Sequence, residues 1–110
     1  MGESYRTAYV YVRDVFAGTL IETDSGYSFQ YDPDYLKIPE TPFVSLTLPK
    51  RAEAYISKTL FSFFDGLIPE GWLLNIVVQS WKIDRNDRFA LLLAACKDCI
   101  GNVSILGVRA

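Results

Sequence analysis

The sequence predicts an α+β domain: a small antiparallel sheet with about three helices packed on it. Three observations lead there. The first half repeats its apolar residues with period two, as in Tyr27-Ser28-Phe29-Gln30-Tyr31 and Val44-Ser45-Leu46-Thr47-Leu48. The second half changes to helical spacing, as in Leu73, Ile76, Val77 and Ser80. A last apolar run, Val103-Ser104-Ile105-Leu106-Gly107-Val108, returns to a strand pattern. Strands, then helices, then one strand give a sheet with its helices on one face.

Taken in order, Tyr9-Val10-Tyr11-Val12-Arg13 is rich in strand formers. Asp14 to Gly18 can turn, and Thr19-Leu20-Ile21-Glu22 can return antiparallel. Thr23-Asp24-Ser25-Gly26 is a turn cluster leading into the strand Tyr27–Tyr31. Asp32-Pro33-Asp34 ends that strand, because proline cannot donate to a ladder. Residues 35–42 hold two prolines and read as loop, and Val44–Leu48 reads as a strand stopped by Pro49. Ser57 can cap a helix running through Phe64. Pro69 opens a second helix ending near Trp81, since proline suits the first helical position. Asn86 or Asp84 can cap a third through Phe89–Ala95, whose apolar character nearly all round marks it as the most buried.

The 110 residues are half hydrophobic, 22% charged and carry a net charge of −2, which suits one domain spanning residues 1–110. A pI near 5.0 and no basic run longer than Lys50-Arg51 argue against direct nucleic-acid binding. Residues 1–49 hold 7 acids and 3 bases and residues 50–110 hold 6 and 8, a mild charge asymmetry. Met1-Gly2-Glu3-Ser4-Tyr5-Arg6 leads into no apolar run and is a poor myristoylation signal. No stretch approaches the ~20 apolar residues of a membrane span, so the expected location is the cytoplasm.

Signals for catalysis are poor. Histidine is absent, which removes the usual triads and bases. No phosphate-binding glycine motif occurs. Cys96 and Cys99 form a Cys-x-x-Cys, but without histidine a Cys/His zinc site cannot be completed, and the pair follows an apolar helical run where a redox site would open a helix. The sequence therefore points to no enzyme, cofactor or metal. Asp65 and Glu70 can be an acid–base pair, or turn and helix-start residues, the reading favoured here.

The centre of the chain is Phe63-Phe64-Asp65-Gly66-Leu67-Ile68-Pro69-Glu70-Gly71-Trp72, a helix end, a connector and a helix start. With Trp72 placed at 0° and ~100° per residue, the apolar stripe centres near ~90°, while Asn75 and Gln79 fall on the other side. Trp72 is then either the edge of the core or an exposed anchor for a partner.

This block resembles the signature of the N-terminal domain of HipA-type serine/threonine kinases, the toxins of bacterial toxin–antitoxin modules. The resemblance runs from about Tyr9 to Ile105. It includes Gly18-Thr19-Leu20, Tyr27 to Pro33, Val44 to Pro49, Asp87-Arg88-Phe89-Ala90-Leu91-Leu92 and Asp98-Cys99-Ile100-Gly101-Asn102-Val103. Departures are Gly66 where Asn is frequent, Lys97 for Gly and Asn102 for Ala. In HipA kinases a much longer kinase core follows this domain. A chain ending at Ala110 resembles instead the small subunit of tripartite HipB–HipS–HipT systems. That resemblance implies a non-catalytic antitoxin docked on a HipT-like kinase, with a HipB-like helix-turn-helix protein supplying DNA binding. The contact residues it implies are Trp72, Phe63, Phe64, Asp65, Glu70, Asn75 and Gln79, with Trp72 as a wedge against the kinase's phosphate-binding loop. The alternatives are a split or excised domain that stabilises a kinase without inhibiting it, and a Cys-x-x-Cys redox protein.

Overall fold

The computed structural model describes residues 6–68, 71–84, 86–95 and 103–107; the side chains of residues 71–73, 77, 81 and 95 lie outside that description. The elements are β1 (Thr7–Val12), β2 (Val15–Thr23), β3 (Gly26–Tyr31), α1 (Pro33–Lys37), β4 (Tyr55–Ser57), α2 (Ser62–Asp65), α3 (Gly71–Trp81), α4 (Arg88–Ala95) and β5 (Val103–Leu106). The strands form one antiparallel sheet in the order β4-β3-β2-β1-β5. The chain is α+β, as the sequence predicts.

The β1–β2 hairpin turns through Arg13 and Asp14 alone, both at positive φ (52° and 65°). A two-residue turn with both φ positive matches the natural twist of paired strands. The turn is thus shorter, and β2 longer, than the sequence suggests. Partners shift from Val10↔Gly18 to Tyr11↔Phe16, so Ala17 is an extra residue. On the other side of β2 the Ala17 carbonyl accepts from Asp32 N–H at 2.8 Å, one rung beyond Gly18↔Tyr31, and marks where β3 leaves the sheet. Gly26 closes the next hairpin at φ 149°, and a Cβ there would lie 2.1 Å from the Ser57 carbonyl oxygen. Only glycine lets β4 approach at this point.

Three sequence expectations are corrected in the middle of the chain. Residues 33–37 are a helical turn, where loop is expected from residue 35: Asp32 accepts from Tyr35 N–H and Pro33 sits in the first turn, so the pair that ends β3 also starts α1. Val44–Leu48 is a tight turn with a single Ser45↔Leu48 bridge, where a strand is expected. The Tyr31 hydroxyl accepts from Val44 N–H (2.8 Å) and donates to the Leu48 carbonyl, taking groups a neighbouring strand would need. Val44 and Leu48 point inward and Leu46 is 91% exposed, so the alternation is real but serves a turn. The predicted helix 57–64 shrinks to the single turn of α2, because Tyr55–Ser57 pairs with β3 and the Ser57 hydroxyl accepts from Thr59 N–H in a local turn.

The face carrying Phe29 and Tyr31 is core, as the alternation implies, and meets the helices through Phe29–Phe64 (ring centroids 5.5 Å) and Tyr27–Phe89 (6.1 Å, stacked). In α4, Phe89, Leu91 and Leu92 have no exposed surface, confirming the burial expected of that run. Its cap is Asp87, which accepts from Ala90 N–H at 3.2 Å; Asp84 instead closes a turn by accepting from Asn86 N–H. Of the stripe expected on α3, Ile76 is 45% exposed and Ser80 exposed, while Leu74 and Val78 pack against the core; the side chains of Leu73 and Val77 lie outside the description. A wheel drawn on hydrophobicity alone counts Ile76 inward, whereas Leu74 and Val78, one turn apart, are the pair that packs against the core. Helix α3 ends with Lys82 at φ 52° and Ile83 N–H bonded to the Val78 carbonyl, a six-residue C-terminal closure. Among the described residues, no helix is long and apolar enough to cross a membrane.

Candidate functional site

The α2–α3 connector is built from the core outward. Phe64 has no exposed surface and its ring meets Phe29, Phe61 and Phe63 at 5.5, 6.2 and 5.3 Å. It is the pin on which α2 sits. Phe64 therefore has no surface to offer a partner, which corrects its place among the expected contacts. Phe63 is half-buried at the edge of the same cluster. Two backbone bonds, Leu67 N–H to the Phe64 carbonyl and Ile68 N–H to the Asp65 carbonyl, carry the turn forward, and Ile68 plugs into the core. Gly66 has φ −68°, an ordinary helical value. It ends α2 without a left-handed residue, so the Asn frequent at this position needs no unusual backbone.

Asp65 anchors the connector from outside. Its carboxylate accepts from Arg88 Nε at 2.8 Å, joining the last residue of α2 to the first of α4, with both side chains partly exposed. The carboxylate is thus engaged by a cation. Glu70, its partner in the acid–base reading, lies outside the described residues, as does Pro69.

Beside this pair lies a second brace that sequence reasoning missed. Arg6 donates to both Glu22 oxygens (2.7 and 2.8 Å) and both Asp87 oxygens (2.9 Å each). Its guanidinium also sits 5.2 Å from the centre of the Phe89 ring. The hydrogen bond from Arg6 holds the Asp87 carboxyl below the usual carboxylate range, aided by the Ala90 N–H it caps; the two acids in turn raise the Arg6 pKa. One arginine thereby fixes β2 to the start of α4. Its partners are 16 and 81 residues away. Local sequence patterns carry no signal for such pairs.

On α3 the structure brings Asn75, Ile76, Gln79 and Ser80 together as an exposed strip. These positions follow residue 72 at helical spacings of three, four, seven and eight. Residue 72 lies in the first turn of α3, and its side chain is outside the described residues. So are Cys96, Cys99 and the turn 98–102. Among the described residues, no three His, Cys, Asp or Glu side chains cluster in a way that could hold a metal ion. What the described residues offer is an α2 turn tied to α4 through Asp65 and, on α3, a mixed polar and apolar strip.

Comparison with known proteins decides the family. The profile described as HipA N-terminal domain matches residues 8–106. The chain belongs to the HipA N-terminal domain family. A solved structure, the N-terminal domain of HipA toxin, shares the HipA-domain fold with a TM-score of 0.74 and 31% identity over 99% of this chain and 98% of that one. An uncharacterised protein of Haemophilus influenzae is 36% identical over 105 residues, covering 96% of this chain and 95% of its own length. The α2 turn and the α3 strip therefore lie within a HipA N-terminal domain, the domain that the matched structure takes from the HipA toxin.

Proposed function

We propose that this HipA N-terminal domain is a non-catalytic antitoxin subunit, HipS-like, that binds and restrains a HipT-like serine/threonine kinase. A HipB-like helix-turn-helix protein would complete the complex and bind the DNA. The observation that carries the reading is the exposed strip Asn75, Ile76, Gln79 on α3, the helix that follows an α2 turn held by Phe64 inside and Arg88 outside. An exposed aliphatic side chain flanked by amides supports a protein contact better than a small-molecule one. Trp72 remains the proposed wedge toward the kinase's phosphate-binding loop, with Phe63, Asp65 and Glu70 at its margin.

The test is co-expression with a HipT-like kinase, if one is encoded beside it. Growth rescue with co-purification is expected. Growth arrest despite co-purification would contradict inhibition.

One observation favours a second reading: the solved relative is a domain of the toxin itself. On that basis the chain would complete and stabilise a kinase. The two readings differ in sign, since the first lowers phosphorylation and the second preserves or raises it.

A further inference from the structure

The hydrogen-bond phase of the sheet fixes which way the backbone of its β4 edge points. Asp32 N–H bonds to the Ala17 carbonyl, and Glu22 N–H bonds to the Arg6 carbonyl. Bonded and non-bonded pairs alternate along an antiparallel ladder. With those two bonds in place, Thr19↔Gln30 and Ile21↔Ser28 are the bonded pairs of β2 and β3, which leaves Tyr27 and Phe29 to bond Ser57 and Tyr55 of β4. The N–H and carbonyl of Ile56, between them, therefore face out of the sheet, and nothing among the described residues pairs with them. The Ile56 side chain is 73% exposed. It ends a cross-sheet row of uncharged residues, Thr7–Ile21–Ser28–Ile56, on the face opposite the core. The chain leading into β4 is closed by its own side chains. The Pro49 carbonyl accepts from the Tyr55 hydroxyl (2.6 Å), that of Ala52 from the Gln30 amide (3.0 Å), and those of Glu53 and Ala54 from Arg51 (3.1 and 3.0 Å). The edge is blunted before β4 and, within β4, open at Ile56.

We propose that the β4 edge receives an extended segment of a protein partner, which joins the sheet as an added strand with an apolar residue opposite Ile56. An outward N–H and carbonyl on one residue are satisfied together by a single residue of an antiparallel strand. A helix cannot do this, because its backbone groups are already paired within it. The row ending at Ile56 sets the partner's side chain against an exposed aliphatic one, where a β-branched or aromatic residue fits. A second copy of the chain is a poor occupant, since pairing two three-residue edges buries far less than the roughly 1,200 Å² of a stable contact. By the same measure the added strand is one part of a contact held elsewhere as well. Assigning the segment to the kinase rests on the function proposed above; the geometry of the edge does not.

The experiment is NMR of the full chain, reading amide shifts and hydrogen exchange, with the peptide acetyl-Thr-Thr-Val-Thr-Thr-amide and its N-methylvaline analogue as probes. In the free chain the Tyr55 and Ser57 amides are expected to exchange at least ~10-fold more slowly than that of Ile56. The peptide should give saturating shifts centred on Ile56, with a Kd in roughly the millimolar range, and should slow exchange there. Methylating the valine nitrogen removes one hydrogen bond without altering the chain and should weaken binding about fivefold. Ile56→Pro removes the outward N–H and should weaken binding by a similar factor, while the Tyr27 and Phe29 amide shifts stay native. Slow exchange of Ile56 in the free chain would mean the edge is already covered and would overturn the proposal. Exchange that slows with chain concentration would give the edge to a second copy and overturn it too. So would a peptide that causes no saturating shifts, or binding indifferent to methylation. Peptide binding by a chain that captures no kinase would leave the edge standing and remove the antitoxin reading, so the two fail separately.

Discussion

Asp65 and Arg88 are 23 residues apart, yet the guanidinium Nε donates to the carboxylate at 2.8 Å and ties the end of α2 to the start of α4. The connector before α3 is thereby held on its solvent side. Because both side chains are more than a third exposed, the pair is screened, and its value to folding is small.

A double-mutant cycle on Asp65→Ala and Arg88→Ala should give a coupling of about 0.2–1 kcal/mol in urea unfolding. The Asp65→Ala variant should also weaken kinase binding, because Asp65 stands at the margin of the proposed contact. Coupling well above this range would place the pair in the stability core.

Phe64→Ala should cost about 3–5 kcal/mol, the expected loss for a large aromatic removed from a filled core. Denaturant midpoints of Phe64→Ala and Phe63→Ala separate the two neighbours, with the half-buried Phe63 losing clearly less.

Stability should fall in acid, partly through Asp87. Its carboxyl is held below the ordinary value by the hydrogen bond from Arg6 and by capping Ala90 N–H. A depressed folded-state value adds stability above the unfolded-state pKa, and that stability is lost as pH falls through the folded-state value. Asp87→Asn keeps a competent cap but removes the titration, so its unfolding free energy should depend less on pH between about pH 5 and the acid limit. Denaturant curves at a series of pH values check this.

Tyr31 governs the opposite limit. Burial pushes its hydroxyl up to about 12, partly offset by the bond from Val44 N–H. A raised value in a group that is neutral when protonated means its contribution is full below the ordinary tyrosine range and is lost as pH rises toward the folded-state value. Burial also raises Tyr27 and Tyr35, so ultraviolet titration should show several late-ionising tyrosines, with the Tyr31 step lost in Tyr31→Phe. That variant also leaves the Val44 N–H and Leu48 carbonyl without their partner and should lose about 1–3 kcal/mol.

The sheet was legible where one face is buried, because period-two alternation survives in Tyr27 to Tyr31 and sets both pairing and core face. The helix at Phe89–Ala95 was legible because its apolar run has no room for another structure. Val44–Leu48 misled because alternation reports which residues point inward, while pairing depends on whether the backbone groups are free. Here the hydroxyl of Tyr31 already holds two of them. Ser57 misled because a helix cap and a local serine turn use the same side chain. At the candidate site, the connector was recognisable from Phe63 to Gly71. The exposed side of α3 was not, since Ile76 looks apolar in sequence and its exposure depends on Leu74 and Val78 turning inward. The Arg6 brace is a long-range pair with no local signature.

The most direct test of the central claim is the phosphorylation rate of the purified HipT-like kinase, measured with increasing amounts of this chain, native and carrying Ile76→Arg. The account predicts a rate that falls to near zero at equimolar native chain and at least a tenfold weaker inhibition by the Ile76→Arg chain, whose fold is intact because residue 76 is already exposed. A rate that is unchanged or rises on addition of the native chain, with the complex demonstrably formed, would contradict it.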